Sequence, residues 1–336
     1  VILFDVYHLP QWNFLRSSIH SVEAEERIVC CVDRSKLVSI IRKELNGGTF
    51  IHFGSYRNNF GFLSMVFLII IPRTLWLIYI LRKLKVTYVI SANYQSNLAA
   101  RFWGIPNIVF NDDPRKGVIQ IARFAANVTY LTKGLKYPGT RELNCLKEWA
   151  YLAPKYFSPD RGVLTSMGLS PFGYIMLREV STETTNYSQQ KAGMLITAEV
   201  PEGVTVILSL ENKKMRAQVP IGWTILEEPV NDIHSLMFFA RGFASTGDSM
   251  AREAAELGAP SFYSGIRDMG ANKVLIDMGL MEQATAEEAI ARLCSLKPIT
   301  DVQAEVNRRQ EIRERIAREW DDVNELIQSH LKETKK

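Results

Sequence analysis

The chain has little cysteine and only a small surplus of one charge. Four cysteines stand among 336 residues, Cys30, Cys31, Cys145 and Cys294, and none of their intervals matches a metal-ligand spacing. Cys30 and Cys31 are adjacent inside an apolar run, the habit of buried thiols in a reduced, cytoplasmic protein. Lys+Arg 40 against Asp+Glu 36 leaves a net charge of +4, too mild for a nucleic-acid binder, so nucleic acid is not expected as a partner. Val1-Ile2-Leu3-Phe4 runs straight into Asp5 without a basic region or cleavage site, so no cleavable signal is expected there. With 47% hydrophobic and 23% charged residues, a sizeable core can form and wholesale disorder is excluded. The length suits two domains of roughly 150 residues each.

The charge is unevenly spread. Residues 1–150 hold 19 Lys+Arg and 10 Asp+Glu, and residues 151–336 hold 21 and 26. Either the first half faces an anionic surface or substrate, or the surface composition simply drifts along the chain.

Strand-like and helix-like segments alternate, which predicts α/β architecture with parallel sheets. In the first half, strands are expected at Val1–Phe4, Arg27–Val32, Thr49–Phe53, Val86–Ile90 and Asn107–Phe110, with helices near 12–22, 34–46, 60–84 and 94–103. In the second half, strands are expected at Tyr174–Leu177, Val204–Leu208, Trp223–Leu226 and Gly242–Ser245, with helices near 188–197, 230–240, 249–257, 269–279 and 286–295. A Pro-containing break at 153–160 separates two doubly wound domains, expected at 1–155 and 161–300. The tail, 301–336, reads as a long helix over 302–334. Ile312, Ile316, Trp320, Val323 and Ile327 recur on one face, which packs on its own domain or crosses back to the first one.

The apolar run from Phe60 to Leu81, interrupted by Pro72-Arg73, admits three readings. It is a kinked crossover helix in the core, a spanning helix, or a helix dipping into a membrane surface with Arg57, Arg73, Arg82, Lys83 and Lys85 near headgroups. The segment 60–85 is therefore where peripheral contact with the cytoplasmic membrane face is expected.

Three constellations could carry chemistry. The first is Ser245-Thr246-Gly247-Asp248-Ser249-Met250, where a strand runs through a small polar turn into a helix that ends at Gly258. Free N–H groups at that helix start form an anion site suited to a diphosphate, and Glu253, one turn further, suits ribose hydroxyls; an ordinary capped helix explains the same pattern. The second is Asn111-Asp112-Asp113-Pro114 after a strand, either paired carboxylates with separated pKa values or an Asp-rich turn. The third is the loop Asp5 to Gln11, where His8 is either a general base or a structural histidine, and the other histidines offer nothing better.

Asn111-Asp112-Asp113-Pro114, Lys147-Glu148-Trp149-Ala150-Tyr151-Leu152 and Gly247-Asp248-Ser249-Met250-Ala251-Arg252-Glu253-Ala254-Ala255 through Leu257-Gly258-Ala259-Pro260 resemble motifs of one group. It is a family of archaeal and bacterial predicted glycosyltransferases of unknown function, similar in turn to the non-hydrolysing UDP-N-acetylglucosamine 2-epimerases. The resemblance covers nearly the whole chain and implies a GT-B fold, two Rossmann-like domains with a nucleotide-sugar site in a central cleft. It implies that Gly247, Asp248 and Ser249, with Arg178 as a phosphate partner, hold the donor diphosphate, that Glu253 holds the ribose, and that Asp112 and Asp113 form the acidic turn facing the sugar. Ser245, Thr246 and Met250 of the same turn are expected at the donor site, and His8, Asp112 and Asp113 are the candidate catalytic residues. The chain departs from relatives in three places. Gly247-Asp248-Ser249 replaces a Gly-Gly-Thr turn, Gln11 replaces the histidine of the first loop, and Ser209-Leu210 replaces Pro-Arg.

The implied activity is a metal-independent glycosyltransferase using a nucleotide sugar, a UDP-sugar by preference, with no tightly bound cofactor. Its acceptor is membrane-associated, lipid-linked or a glycan, as in cell-surface polysaccharide biosynthesis. Two alternatives stay open: a sugar-nucleotide 2-epimerase and a non-catalytic nucleotide-sugar-binding protein.

Overall fold

The computed structural model describes residues 1–34, 36–55, 66–183, 187–227, 230 and 232–334. The chain forms two units, one from Val1–Tyr151 with Asp321–Lys336, the other from Leu152–Trp320.

The first unit is built on a parallel sheet of strands β1 (Ile2–Val6), β2 (Arg27–Asp33), β3 (Thr49–Ser55), β4 (Tyr88–Ser91), β5 (Asn107–Asn111), β6 (Val128–Leu131) and β7 (Arg141–Glu142), in the order β3-β2-β1-β4-β5-β6-β7. β1, β2 and β4 are apolar almost throughout because helices cover both faces of a parallel sheet. The chain winds outward from β1 to β3 and returns beside β1 as β4, so the strand order reverses between β1 and β4. Loops that follow strands at such a reversal splay apart and leave room for a ligand.

The second unit repeats the scheme with β8 (Tyr174–Glu179), β9 (Thr205–Leu210), β10 (Thr224–Ile225), β11 (Phe243–Ser245), β12 (Ser261–Tyr263) and β13 (Met281–Gln283), ordered β10-β9-β8-β11-β12-β13. Its reversal lies between β8 and β11. The strands β6, β7, β12 and β13 extend the sheets beyond the strands expected from the sequence; two to four residues are too few for a period to register.

Two expectations change. The segment 188–197 is a succession of turns, not a helix. The buried carboxylate of Glu179 accepts the backbone N–H groups of Gly193 and Leu195, at 3.2 and 2.9 Å, and Gly193 has a left-handed φ of +75°. The polar demand of one buried acid thus overrides local helix propensity. The C-terminal helical arm is made of two pieces, Val302–Glu319 and Val323–Thr334, joined at 320–322. Trp320 is extended, and the Asp322 carboxylate accepts the N–H groups of Asn324 and Glu325, starting the second piece. That piece returns to the first unit, where His330 Nε2 lies 2.8 Å from the Tyr130 hydroxyl.

Of the run 60–84, residues 60–65 and Arg57 lie outside the described residues. From Val66 a π-helical turn leads into the α-helix Ile71–Lys83. Pro72 falls in the first α-turn, where its missing N–H is not needed. Leu77 and Leu81 pack on Leu3, Ile28 and Val89. Arg73 is not at any headgroup: it is fully buried and paired with Asp5. Among the described residues, no helix is long and apolar enough to cross a membrane.

Candidate nucleotide and acid–base sites

In the second unit, the residues expected to hold a diphosphate cluster where β11 meets its helix. Ser245 is the last residue of β11 and is in register with Arg178 on β8. Its hydroxyl accepts the Gly247 N–H at 2.9 Å, which tightens the turn. Thr246 is fully buried; its hydroxyl accepts the Val180 N–H at 2.9 Å, so the turn is fastened to the end of β8. A Cβ on Gly247 would come within 2.4 Å of Val180, so only glycine admits this approach. The helix Asp248–Glu256 then begins at an extended N-cap, Gly247, a residue with no side chain to cap the first turn. The N–H groups of that turn, with the helix dipole, suit an anion. Ser249 and Met250 occupy the same first turn, half-buried. Gly258 closes the helix at φ +79° against the Arg309 backbone.

Asp248, the acid that departs from the Gly-Gly-Thr turn of relatives, is 1% exposed. Its carboxylate accepts the Tyr187 hydroxyl at 2.5 Å, Arg252 at 3.1 Å and Arg267 at 3.1 Å. Burial, reinforced by Asp248, pushes the Tyr187 phenol well above its ordinary pKa, so it stays a donor. Two guanidinium groups thus answer the charge of the Asp248 carboxylate. Asp248 in turn holds Arg252 and Arg267 together beside the helix start. Tyr187 and Arg267 lie far from Asp248 in sequence and belong to no motif, so no spacing announces them.

Arg178 donates to the Ser209 hydroxyl at 2.9 Å and to Glu211 at 3.0 Å. Ser209, standing where relatives carry Pro, is thus a partner of Arg178. Glu253 is 8% exposed, with its carboxylate 3.5 Å from His234 Nε2. His234 also meets the Phe157 ring edge-on at 5.9 Å. A histidine passed over in the sequence is therefore the neighbour of the acid expected to bind ribose.

In the first unit, a pocket lies over the strand ends beside the β1–β4 reversal, lined by His8, Gln11, Asn111, Asp112, Tyr130 and Lys147 among others. His8 is the extended N-cap of the helix Leu9–His20, and its Nδ1 is buried without a hydrogen-bond partner among the described residues. Burial, with the Lys147 charge adding to it, pushes its pKa from 6.5 down to about 4; Asp112 opposes this only in part. Asp112 forms an ion pair with Lys147. Asp113 does not share this pocket: it pairs with Arg115, whose Nε donates at 2.9 Å. Gln11, where relatives carry histidine, accepts the Tyr7 N–H at 2.6 Å and donates to Ala92 O at 2.5 Å, tying the loop after β1 to the end of β4. Two adjacent acids with one pattern in sequence therefore divide, one toward the pocket and one toward an arginine.

The neutral state of His8 has a stability consequence. Between pH 6.5 and 4 the unfolded chain takes up a proton that folded His8 refuses. The stabilisation is complete above pH 6.5 and is lost as pH falls toward 4, by about 3 kcal/mol. Melting temperatures across that range should fall less steeply for His8→Asn than for the wild-type chain; parallel slopes would contradict the burial of a neutral imidazole.

No protein-family model matches the chain, and no curated protein matches it. Among solved structures it is similar to UDP-N-acetylglucosamine 2-epimerase from Rickettsia bellii, at 14% identity over 94% of this chain and 95% of that one, with a TM-score of 0.64. It is similar to Anabaena Alr3699/HepE in complex with UDP and glucose, at 15% identity over 99% of both chains and a TM-score of 0.66. It is also similar to the glycosyltransferase VinC in complex with DTDP, at 11% identity over 99% of both chains and a TM-score of 0.61. The strand orders, the two reversals and these near-full-length likenesses agree, and the chain has the GT-B fold, with two Rossmann-like units.

Proposed function

We propose that the chain is a nucleotide-sugar-dependent glycosyltransferase whose second unit holds the donor, a UDP-sugar by preference. Its first unit activates a lipid-linked or glycan acceptor. The observation that carries the reading is the helix start after β11, where a glycine N-cap offers no side chain to the first turn and Arg252 and Arg267 both pair with the buried Asp248. Solved structures of the same fold hold UDP or DTDP, which supports a nucleoside diphosphate as the ligand class.

In the transfer, an acceptor hydroxyl oxygen bonds to the anomeric carbon as the bond from that carbon to the diphosphate breaks. The hydroxyl proton passes to His8, neutral above about pH 4, or to Asp112. The negative charge left on the nucleoside diphosphate is met by the helix N–H groups and by Arg178, which would exchange Glu211 for a phosphate oxygen. Glu253 would bind the ribose.

A thermal-shift screen against UDP, GDP, CDP, ADP and dTDP tests the donor site, with Glu253→Ala as control. At a ligand concentration of about 100 times Kd the stabilisation is about 2.7 kcal/mol. A shift with UDP that the control loses is expected; no shift with any of the five would remove the reading. Radiolabelled sugar transfer to membrane extracts then tests the reaction. A 2-epimerase is the second reading, favoured by the gathering of His8, Asp112 and Lys147 in one pocket. Entry of solvent deuterium at C2 of the sugar, without transfer, would establish it instead. Nucleotide binding with neither reaction, unchanged in His8→Asn, would leave a non-catalytic binding protein.

A further inference from the structure

Between Glu44 and Asp112 the sequence contains no acidic residue, yet it carries Arg57, Arg73, Arg82, Lys83, Lys85 and Arg101. The helix Ile71–Lys83 is apolar nearly all round. One face is buried through Arg73, Leu77, Ile80 and Leu81. On the other, Phe67, Leu68, Ile71, Leu75 and Tyr79 follow at intervals of one, three or four residues and are 64, 57, 43, 61 and 59% exposed. The stripe continues onto the next helices. The Trp103 indole donates to Ile78 O at 2.8 Å, Phe102 stands edge-on to Trp103 at 4.9 Å, and Arg101 lies 4.5 Å over the exposed ring of Phe124. Cations sit on its aromatic groups: Arg82 over Trp103 at 5.0 Å and Lys83 over Tyr79 at 5.6 Å. None of the helices Ile71–Lys83, Gln95–Phe102 and Lys116–Ala125 contains an Asp or Glu.

We propose that this face of the first unit docks on an anionic lipid bilayer, lying in the headgroup layer without spanning it. A contiguous exposed apolar patch of this kind marks an interaction surface. The combination of buried-length apolar side chains, aromatic groups and a basic rim without acids fits anionic headgroups over an acyl boundary. A second copy of the chain fits less well. Self-pairing would set Arg82, Lys83, Lys85 and Arg101 against their own kind, and the three helices offer no carboxylate to answer them. The inference stands apart from the reaction the chain performs.

The test uses the full chain in vesicle flotation, comparing phosphatidylcholine alone with phosphatidylcholine mixed with phosphatidylglycerol. The variants are Leu75→Glu and the pair Lys83→Gln with Lys85→Gln. All replaced side chains are exposed, and an unchanged melting temperature and nucleotide response would confirm that fold and donor site are intact. Binding to the anionic vesicles alone is expected, weaker at raised salt. Leu75→Glu should lower it about tenfold or more, the loss of one buried leucine. Each lysine replacement should lower it about fivefold. Absence of the wild-type chain from anionic vesicles at low salt would overturn the proposal. So would concentration-dependent self-association that Leu75→Glu abolishes while vesicle binding is absent, which would make the face a contact between copies.

Discussion

Asp248→Asn is expected to destabilise the second unit by about 3–5 kcal/mol, because it removes an ionised partner from the buried Arg252 and the half-buried Arg267. Arg252 is 1% exposed and retains its hydrogen bonds to Asn272 and Ser249, while Arg267 loses both contacts to the carboxylate. The Tyr187 hydroxyl, donating at 2.5 Å, loses an ionised acceptor. For a unit of this size the loss corresponds to a fall in Tm on the order of 10 °C. Binding should respond in the opposite sense. Removing the Asp248 charge from beside two arginines raises the positive potential at the helix start, so the folded protein should hold a nucleoside diphosphate at least as tightly as before. Calorimetric titration with UDP below the lowered Tm separates the two effects. Weaker binding by the folded variant would mean that Asp248 contacts the ligand itself and does not merely place the arginines.

Arg73→Met should have an effect of similar size in the first unit, again about 3–5 kcal/mol, since Asp5 would be left charged and fully buried in the central strand. Asn93 donates to the other Asp5 oxygen at 3.0 Å but brings no charge. The double variant Asp5→Leu with Arg73→Met should recover most of the loss, because a buried ion pair is commonly no more stable than apolar groups of similar volume. Recovery of the pocket is not expected. Arg73 lies 5.5 Å from the Tyr7 ring and donates to Gln95 at 2.5 Å, while the Tyr7 backbone is held in turn by Gln11. The ion pair therefore fixes the loop that carries His8. If the double variant regains both stability and the full pH dependence assigned to His8, the pair has no part in placing that loop.

Much of the fold was legible because parallel strands buried on both faces are short apolar runs with conspicuous polar breaks. The strands at Arg27 and Thr49, and the turn from Ser245 into a helix ending at Gly258, needed no tertiary information. The small residues Ser245, Thr246 and Gly247 already imply a tight turn, and Gly258 a stop. The segment 188–197 was not legible, because its conformation answers to Glu179, an acid on a neighbouring strand whose N–H partners no local pattern reveals. Arg73 misled for a related reason. A basic residue within an apolar run reads as a surface or headgroup cation unless its partner is known, and that partner, Asp5, is 68 residues away.

The site divides along the same line. The sequence by itself determined which residue types gather at strand ends, because turn chemistry and helix starts depend on residues a few positions apart. It named His8, Asp112, Gly247 and Glu253 on that basis, and Arg178 through the family resemblance. Only the tertiary structure decided their states. Asp112 faces Lys147 in the pocket whereas Asp113 is held by Arg115; Asp248 is neutralised by Arg252 and Arg267; Glu253 meets His234. Charge state and hydrogen-bond occupancy depend on what lies within a few ångströms in space, and those neighbours come from strands and loops that the chain brings together only on folding.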